Sequence, residues 1–153
     1  MTLDALPLPD LAATGAIAAR LAPLLQSGDL VALQGPLGAG KTSFVRALLY
    51  ALGISEDVPS PTFTLVQIYH TARFAVAHYD LYRLENESEL DELGWDDARA
   101  DGLVLAEWPE RVGARMPKDS LVLHFAFDDR NSRALTFKPH GDWVGRLKGV
   151  QLQ

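Results

Sequence analysis

The sequence lacks cysteine, long apolar runs and an excess of positive charge. Without cysteine the chain has no disulfides, thiolate metal sites or cysteine nucleophile, and this suits the reducing cytoplasm, where we expect the protein to act. No segment approaches the ~18 apolar residues of a membrane span. The first ten residues are acidic and contain Pro7 and Pro9, which does not fit a signal peptide. With 14 basic and 20 acidic side chains, the net charge of −6 argues against sequence-independent nucleic-acid binding by this chain alone.

The length and composition are typical of one folded domain. The chain has 153 residues, of which 48% are hydrophobic and 22% are charged. These shares are ordinary for globular proteins, and a domain usually has roughly 100–200 residues. We therefore predict a single domain over residues 1–153, without a linker or an internal repeat.

The first third of the chain predicts a helix, a strand, a tight turn and a second helix. Asp10 can cap the first helix, in which four apolar residues follow helical spacing: Ile17, Leu21, Leu24 and Leu25. Residues 30–33 form a continuous apolar run, which is typical of a strand buried on both faces of a parallel sheet. A glycine-rich turn then leads into a second helical pattern that extends to residue 52. Strand, turn and helix in this order begin a βαβ unit.

The remainder predicts further strands and short helices. Apolar or alternating segments predict strands at residues 64–69, 74–79, 103–106, 121–127 and 134–137, the last two joined as a hairpin. The acidic segment 85–93 predicts a helix that stops at Gly94, and residues 142–150 predict a closing helix. Alternating strands and helices predict an α/β fold.

Residues 35–42, GPLGAGKT, match the phosphate-loop pattern G-x-x-x-x-G-K-[ST] in full. The glycines allow backbone N–H groups to turn inward around phosphate oxygens, and the following helix directs its positive end to the same place. Lys41 would reach the β- and γ-phosphates, and the Thr42 hydroxyl would bind Mg²⁺. A glycine-rich turn that binds nothing is the alternative, but the flanking strand and helix favour a phosphate loop. The predicted fold is thus a P-loop NTPase-like three-layer sandwich with a mostly parallel central sheet and a C-terminal β-hairpin.

Two carboxylates follow predicted strands and are candidates for the chemistry. Hydrolysis needs a carboxylate near the metal and a group that positions water. Glu107 follows the apolar run 103–106, at the sheet edge where such folds bind ligands. Aspartate is commoner there, so Glu107 could act through a water or orient the nucleophile, and a plain surface glutamate is the alternative. Asp80 follows another strand, between tyrosines, and suits a role on water or metal. A structural ion pair with Arg83 is its alternative.

Several other side chains have both a functional and a structural interpretation. His78 could be a ligand, although a lone strand histidine is more often packed and hydrogen-bonded. Thr62 and Phe63 could sense the γ-phosphate or form a bare turn. Trp108 directly follows Glu107 and precedes a proline, although a single tryptophan is more often part of a core. The N-K-x-D guanine signature is absent, so we expect adenine.

No arginine can be assigned to the transition state from the sequence. The candidates are Arg83, Arg111, Arg130 and Arg133. Because none is marked by its position, we expect slow hydrolysis by the protein alone.

Five segments together resemble the TsaE family, the small ATPases of bacterial tRNA threonylcarbamoyladenosine biosynthesis. They are G-A-G-K-T at 38–42, S-P-T-F-T-L at 60–65, H-Y-D-L-Y-R-L at 78–84, E-L-G at 92–94 and E-W at 107–108. The phosphate loop occurs in many proteins, whereas the second and third segments are far more specific. The resemblance runs from about residue 10 to the end, loosely in the tail.

The resemblance implies ATP and Mg²⁺ as cofactors. It implies that Thr42 and Glu107 bind Mg²⁺, that Asp80 is required for turnover, and that Lys41 acts with them in catalysis. It implies nucleotide binding by Gly35, Gly38, Ala39, Gly40, Lys41, Thr42 and Ser43, with Leu11, Thr14 and Arg130 bordering the nucleotide where the motif is diffuse. Pro36 and Ser43 depart from the family's frequent aspartate and threonine, which bears on the rate more than on activity.

The resemblance also implies partners. In this family the TsaB and TsaD proteins are the usual partners, and ATP binding and hydrolysis reset their complex, whereas TsaD transfers the threonylcarbamoyl group to tRNA. We therefore expect tRNA contact only through these partners, and no membrane contact.

Two other functions begin with the same loop. A small-molecule kinase needs an arginine-rich lid, but the segments available for a lid, 53–59 and 85–101, are acidic. A nucleotide-binding module without useful catalysis would use ATP only to order the loops at 60–65 and 80–84.

Overall fold

The structure is a computed structural model that describes residues 4–61 and 64–152. Its strands are β1 (Leu6–Pro7), β2 (Leu30–Gln34), β3 (Val66–His70), β4 (Ala75–Asp80), β5 (Gly102–Glu107), β6 (Leu121–Phe127) and β7 (Arg133–Pro139). Its helices are α1 (Leu11–Leu21), α2 (Lys41–Ala51), α3 (Glu89–Glu92), α4 (Trp95–Asp101) and α5 (Asp142–Leu147), with 3-10 segments at Ala22–Leu24 and Pro109–Arg115. The loop residues Thr62 and Phe63 lie outside the described residues.

The strands form one sheet in the order β1-β7-β6-β2-β5-β4-β3. The four central strands are parallel, since β2 pairs with β5 and β6, and β4 pairs with β5. The outer pairs, β3–β4, β6–β7 and β1–β7, are antiparallel. The predicted α/β fold with a parallel centre and a C-terminal hairpin is confirmed.

Two apolar clusters cover the two faces of this sheet. On one face, alternate residues of β2 and β5, such as Val31 and Leu105, pack with α1, α2 and α5. On the other face, Ala32 and Val104 pack with α3, α4 and the second 3-10 segment. Because both faces are covered, the central strands are apolar throughout, as the continuous runs predicted.

Three predicted helix boundaries are wrong. Helix α1 ends at Leu21 and is followed by a 3-10 segment, so Leu24 and Leu25 lie outside it. The helix predicted at residues 85–93 starts only at Glu89, as the short α3. It stops before Gly94 as predicted, and Gly94 is also the N-cap of α4. Gly94 has a φ of +71°, which turns the chain and allows the fully buried Trp95 to enter the core. The closing helix ends at Leu147, short of the predicted residue 150.

No helix among the described residues is long and apolar enough to cross a membrane. The extent of one domain over residues 1–153 stays a prediction.

Candidate nucleotide-binding site

The glycine-rich loop, residues 35–42, connects β2 to α2. Gly35, Gly38 and Gly40 have φ angles of +143°, +79° and +109°, which residues with a Cβ rarely adopt. A Cβ on Gly35 would also lie 2.4 Å from the carbonyl oxygen of Phe125 on β6. The loop follows this path because glycine stands at these positions.

The loop and the start of α2 line a pocket of about 230 Å³ at the carboxyl edge of the sheet, which we call the phosphate pocket. Gly40 is the N-cap of α2 and offers no side-chain hydrogen bond to the helix. The first amides of α2 are therefore available to an anion. The pocket is lined by Leu37, Gly38, Gly40, Lys41, Thr42, Ser43, Ser60, Asp80, Glu107, Trp108 and Arg133.

Lys41 lies against the loop with its ammonium group held by main-chain oxygens. Its Nζ donates to the carbonyl oxygens of Gly35 and Pro36, the latter at 3.2 Å. The same Nζ lies 3.9 Å from the centre of the Trp108 ring. Burial lowers the pKa of Lys41, and the carboxylates, Glu107 foremost, partly oppose this shift.

Glu107, at the end of β5, is 2% exposed and lies within hydrogen-bond distance of two side chains, Thr42 and His78. The Thr42 hydroxyl donates to it, with Oγ1 at 2.9 Å from Oε1 and 3.2 Å from Oε2. His78 Nε2 lies 2.6 Å from Oε2. Helix α2 and strands β4 and β5 thus meet at this one carboxylate.

Asp80 reaches the same pocket from the neighbouring strand. It ends β4, lies directly opposite Glu107 in the parallel ladder, and is 7% exposed. Its Oδ1 accepts a hydrogen bond from the Tyr82 backbone at 3.2 Å. An ion pair of Asp80 with Arg83 stays a hypothesis.

The donor set suits a magnesium ion that is shared with phosphates. Among residues 4–61 and 64–152, no group of three or more His, Cys, Asp or Glu is arranged to hold a metal alone. Mg²⁺ at phosphate sites takes one or two protein oxygens and completes its shell with phosphates and water. The adjacent oxygens of Thr42 and Glu107 fit that requirement.

A second pocket of about 290 Å³ lies on the other side of Ser43, which lines both pockets. It is formed by α1 and α2, and its lining includes Leu11, Thr14 and Arg46. Leu11 is 71% exposed, whereas Thr14 is buried. The two residues that the family resemblance implied at the nucleotide's border therefore lie one pocket away from the phosphate loop.

The arginine that lines the phosphate pocket is Arg133. Arg130 lies exposed in the β6–β7 turn, where its backbone N–H donates to Asp128 Oδ1 at 2.9 Å, and it is not among the described lining residues of either pocket. Asn131, with a φ of +60°, completes the turn and places Arg133 at the start of β7 beside the loop.

Comparison with known proteins identifies the family. The family model described as "Threonylcarbamoyl adenosine biosynthesis protein TsaE" matches residues 8–135. The chain belongs to the TsaE family. Proteins of the TsaE family are involved in tRNA threonylcarbamoyladenosine biosynthesis.

Curated TsaE proteins match most of the chain. The TsaE protein of Bacillus subtilis is 39% identical over 132 residues, which cover 84% of this chain and 81% of that protein. The TsaE protein of Rickettsia felis is 39% identical over 121 residues, covering 78% and 71%. The crystal structure of Bacillus subtilis YdiB has a TM-score of 0.83 and 27% identity, and the match covers 98% of this chain and 94% of that chain.

Three side chains of this TsaE family member have contacts that sequence reasoning did not assign. His78 bonds Glu107, Trp108 lies against Lys41, and Arg133 lines the phosphate pocket. The position of Trp108 directly after Glu107 was a usable signal. The contact of His78 with Glu107 depends on the register of β4 and β5. The position of Arg133 depends on the length of the β6–β7 turn, and no sequence motif indicates either.

Proposed function

We propose that this protein binds ATP with Mg²⁺ and hydrolyses it slowly, as the cytoplasmic ATPase that works with TsaB and TsaD in tRNA threonylcarbamoyladenosine biosynthesis. The observation that carries the proposal is the convergence of Thr42, Asp80 and Glu107 at the phosphate-loop pocket. Membership of the TsaE family supports the link to tRNA modification. The net charge of −6 supports contact with tRNA through partners.

The loop amides and Lys41 would hold the phosphates. The first turn of α2 lines the pocket and has no side-chain cap on its amides, and the nearby ammonium group adds a positive charge. To bind a phosphate, Lys41 exchanges the carbonyl oxygens of Gly35 and Pro36 for phosphate oxygens. The aromatic face of Trp108 remains a favourable neighbour for that cation.

Thr42 and Glu107 would hold Mg²⁺, which when bound neutralises charge on the phosphates. Asp80, a nearly buried acceptor across from Glu107, would orient the attacking water. The second pocket, with Leu11 and Thr14, would receive the adenosine part of the nucleotide.

Slow turnover follows from the openness of the site. Ser60 and Arg133 line the phosphate pocket and are exposed, so this side of the pocket is open to water although Asp80 and Glu107 are buried. Water weakens the electrostatic stabilisation of a transition state. We expect the TsaB–TsaD partners to close this side and raise the rate.

The test is release of phosphate from γ-labelled ATP by the protein alone and with TsaB and TsaD. We expect weak hydrolysis alone and clear stimulation by the partners. Rapid turnover by the chain alone contradicts the proposal, and label transfer to a metabolite shows a kinase. If a non-hydrolysable ATP analogue supports tRNA modification as well as ATP does, the protein is a binding module.

A further inference from the structure

His78 lies buried beside the carboxylate of Glu107. Its side chain has no exposed surface, and Nε2 lies 2.6 Å from Glu107 Oε2. An ionised carboxylate only accepts hydrogen bonds, so Nε2 is the donor. The other ring nitrogen, Nδ1, is buried and has no hydrogen-bond partner in the described part of the chain. Within the described part of the chain, the hydrogen bond to Glu107 is therefore the one that the His78 ring makes.

The register of the sheet creates this contact. Asp80 on β4 lies opposite Glu107 on β5, and His78 lies opposite Leu105. Side chains two residues apart on a strand share a face, so His78 and Asp80 are on the same face as Glu107. His78 is the diagonal neighbour of Glu107, and a ring of its length reaches across.

Two donors from different elements fix the carboxylate. Thr42 on α2 donates to Glu107 at 2.9 Å and 3.2 Å, and His78 on β4 donates to Oε2. Glu107 is 2% exposed, so water does not readily replace a lost donor. Rotation of the carboxylate would break the bond to His78.

We propose that His78 is a positioning residue that holds the Glu107 carboxylate in the orientation required for Mg²⁺. This inference rests on the proposed function, and His78 acts through Glu107 without touching ATP or the metal. Mutation of a residue that hydrogen-bonds a metal ligand typically lowers metal affinity or activity by about 10–100-fold.

A matched pair of variants, His78→Gln and His78→Asn, tests the inference. The glutamine amide extends to about the position of Nε2 and keeps a donor for Glu107, whereas the asparagine amide is one methylene shorter. The measurement is the Mg²⁺ concentration that gives half-maximal binding of a fluorescent non-hydrolysable ATP analogue. We expect it to rise about 10-fold or more in His78→Asn and by less than about 3-fold in His78→Gln. Binding of the analogue without Mg²⁺ should not change in either variant.

The controls separate positioning from folding. His70→Gln, at an exposed histidine on β3, should behave as the wild type. If His78→Asn does not fold, His78→Leu removes the donor while keeping bulk, and carries the same expectation. The inference is overturned if Mg²⁺ affinity falls equally in His78→Gln and in His78→Asn, or if it falls in neither. Where His78→Leu replaces His78→Asn, the same comparison applies to it. A wild-type protein without Mg²⁺-dependent binding overturns the proposed function, and this inference with it.

Discussion

We propose that nucleotide binding depends on the positive charge of Lys41, although burial lowers the pKa of its ammonium group. A hydrogen bond to a charged group contributes about 1.5–3 kcal/mol, so Lys41→Ala should weaken ATP binding about 10–100-fold. The measurement is ATP affinity by calorimetry. Lys148→Ala, at an exposed lysine after α5, is the control and should bind as the wild type does. Tight ATP binding by Lys41→Ala would contradict the site.

Arg133 and Arg130 can be ranked by the same assay. Because Arg133 lines the phosphate pocket and Arg130 does not, Arg133→Ala should weaken ATP binding by about 10-fold and Arg130→Ala by less than about 2-fold. The reverse ranking would favour the assignment of Arg130 that the family resemblance implied.

For single residues, roles within a contiguous motif could be predicted from the sequence, whereas contacts between strands could not. The phosphate loop is one segment, so its pattern predicted the roles of Lys41 and Thr42. The contact of His78 with Glu107 joins residues 29 positions apart. It depends on which residue of β4 faces which residue of β5, and sequence periodicity fixes the face of a strand but not its register.

Among the elements, the β2–α2 loop is the most restricted in its backbone. Gly35→Ala places a methyl group against Phe125 at a positive φ, and such strain costs about 1–3 kcal/mol. The free energy of unfolding in urea should fall by at least that amount. Gly145→Ala is the contrasting change, since Gly145 lies in α5 and its added Cβ would meet no atom within 4 Å beyond its chain neighbours and the helix's own backbone. It should raise stability by up to about 1 kcal/mol. Similar effects of both changes would contradict the packing described for Gly35.

Strand β6 carries a histidine that should make stability depend on pH. Burial lowers the pKa of His124, and Lys138 on β7 lowers it further, while Glu110 opposes the shift. The unfolded chain then binds more protons, so stability is complete above the unfolded value of 6.5 and is lost as pH falls through the lower folded pKa. The loss of unfolding free energy between pH 7.5 and pH 5 should be smaller in His124→Gln than in the wild type.

The control for this pH dependence is His140→Gln, at an exposed histidine that should leave the loss unchanged. An equal loss in His124→Gln and the wild type would show that the ring is not held neutral by the fold.

Strands were better predicted than the segment between β4 and β5. Residues 30–33 and 103–106 are buried on both faces, so their apolar runs leave one interpretation. The acidic stretch from residue 85 onward is mostly exposed and carries no comparable pattern. Gly94 was correctly predicted as a helix stop, because a glycine with a positive φ commonly follows a helix. The burial of Trp95, which starts α4, comes from tertiary packing that local spacing does not reveal.

For the whole molecule, one ion pair joins the C-terminal helix to the first half of the chain. The two terminal guanidinium nitrogens of Arg146, Nη1 and Nη2, each lie 2.8 Å from an oxygen of the Asp29 carboxylate, and the two side chains are 21% and 12% exposed. Arg146→Ala should lower the free energy of unfolding by about 2 kcal/mol. A double-mutant cycle with Asp29→Ala should give a coupling of about 1 kcal/mol or more.

The more exposed pair of Arg115 and Asp91 is the comparison for that cycle. Its side chains are 25% and 67% exposed, so solvent screens the pair and its coupling should be clearly smaller than that of Arg146 with Asp29. Equal couplings for the two pairs would contradict the role given to burial.

The path of the N-terminal segment links the two candidate pockets. Leu6 and Pro7 pair with β7, and the Leu8 N–H donates to the carbonyl of Arg133 at 2.9 Å. Two residues later, Asp10 accepts the capping bond that fixes the start of α1, where Leu11 lines the second pocket. A truncation that detached this stretch should therefore disturb both pockets together, and with them both ends of the nucleotide that we propose they bind. A loss of nucleotide affinity after such a truncation would show that the residues lining the two pockets had moved, even if the phosphate loop itself were intact.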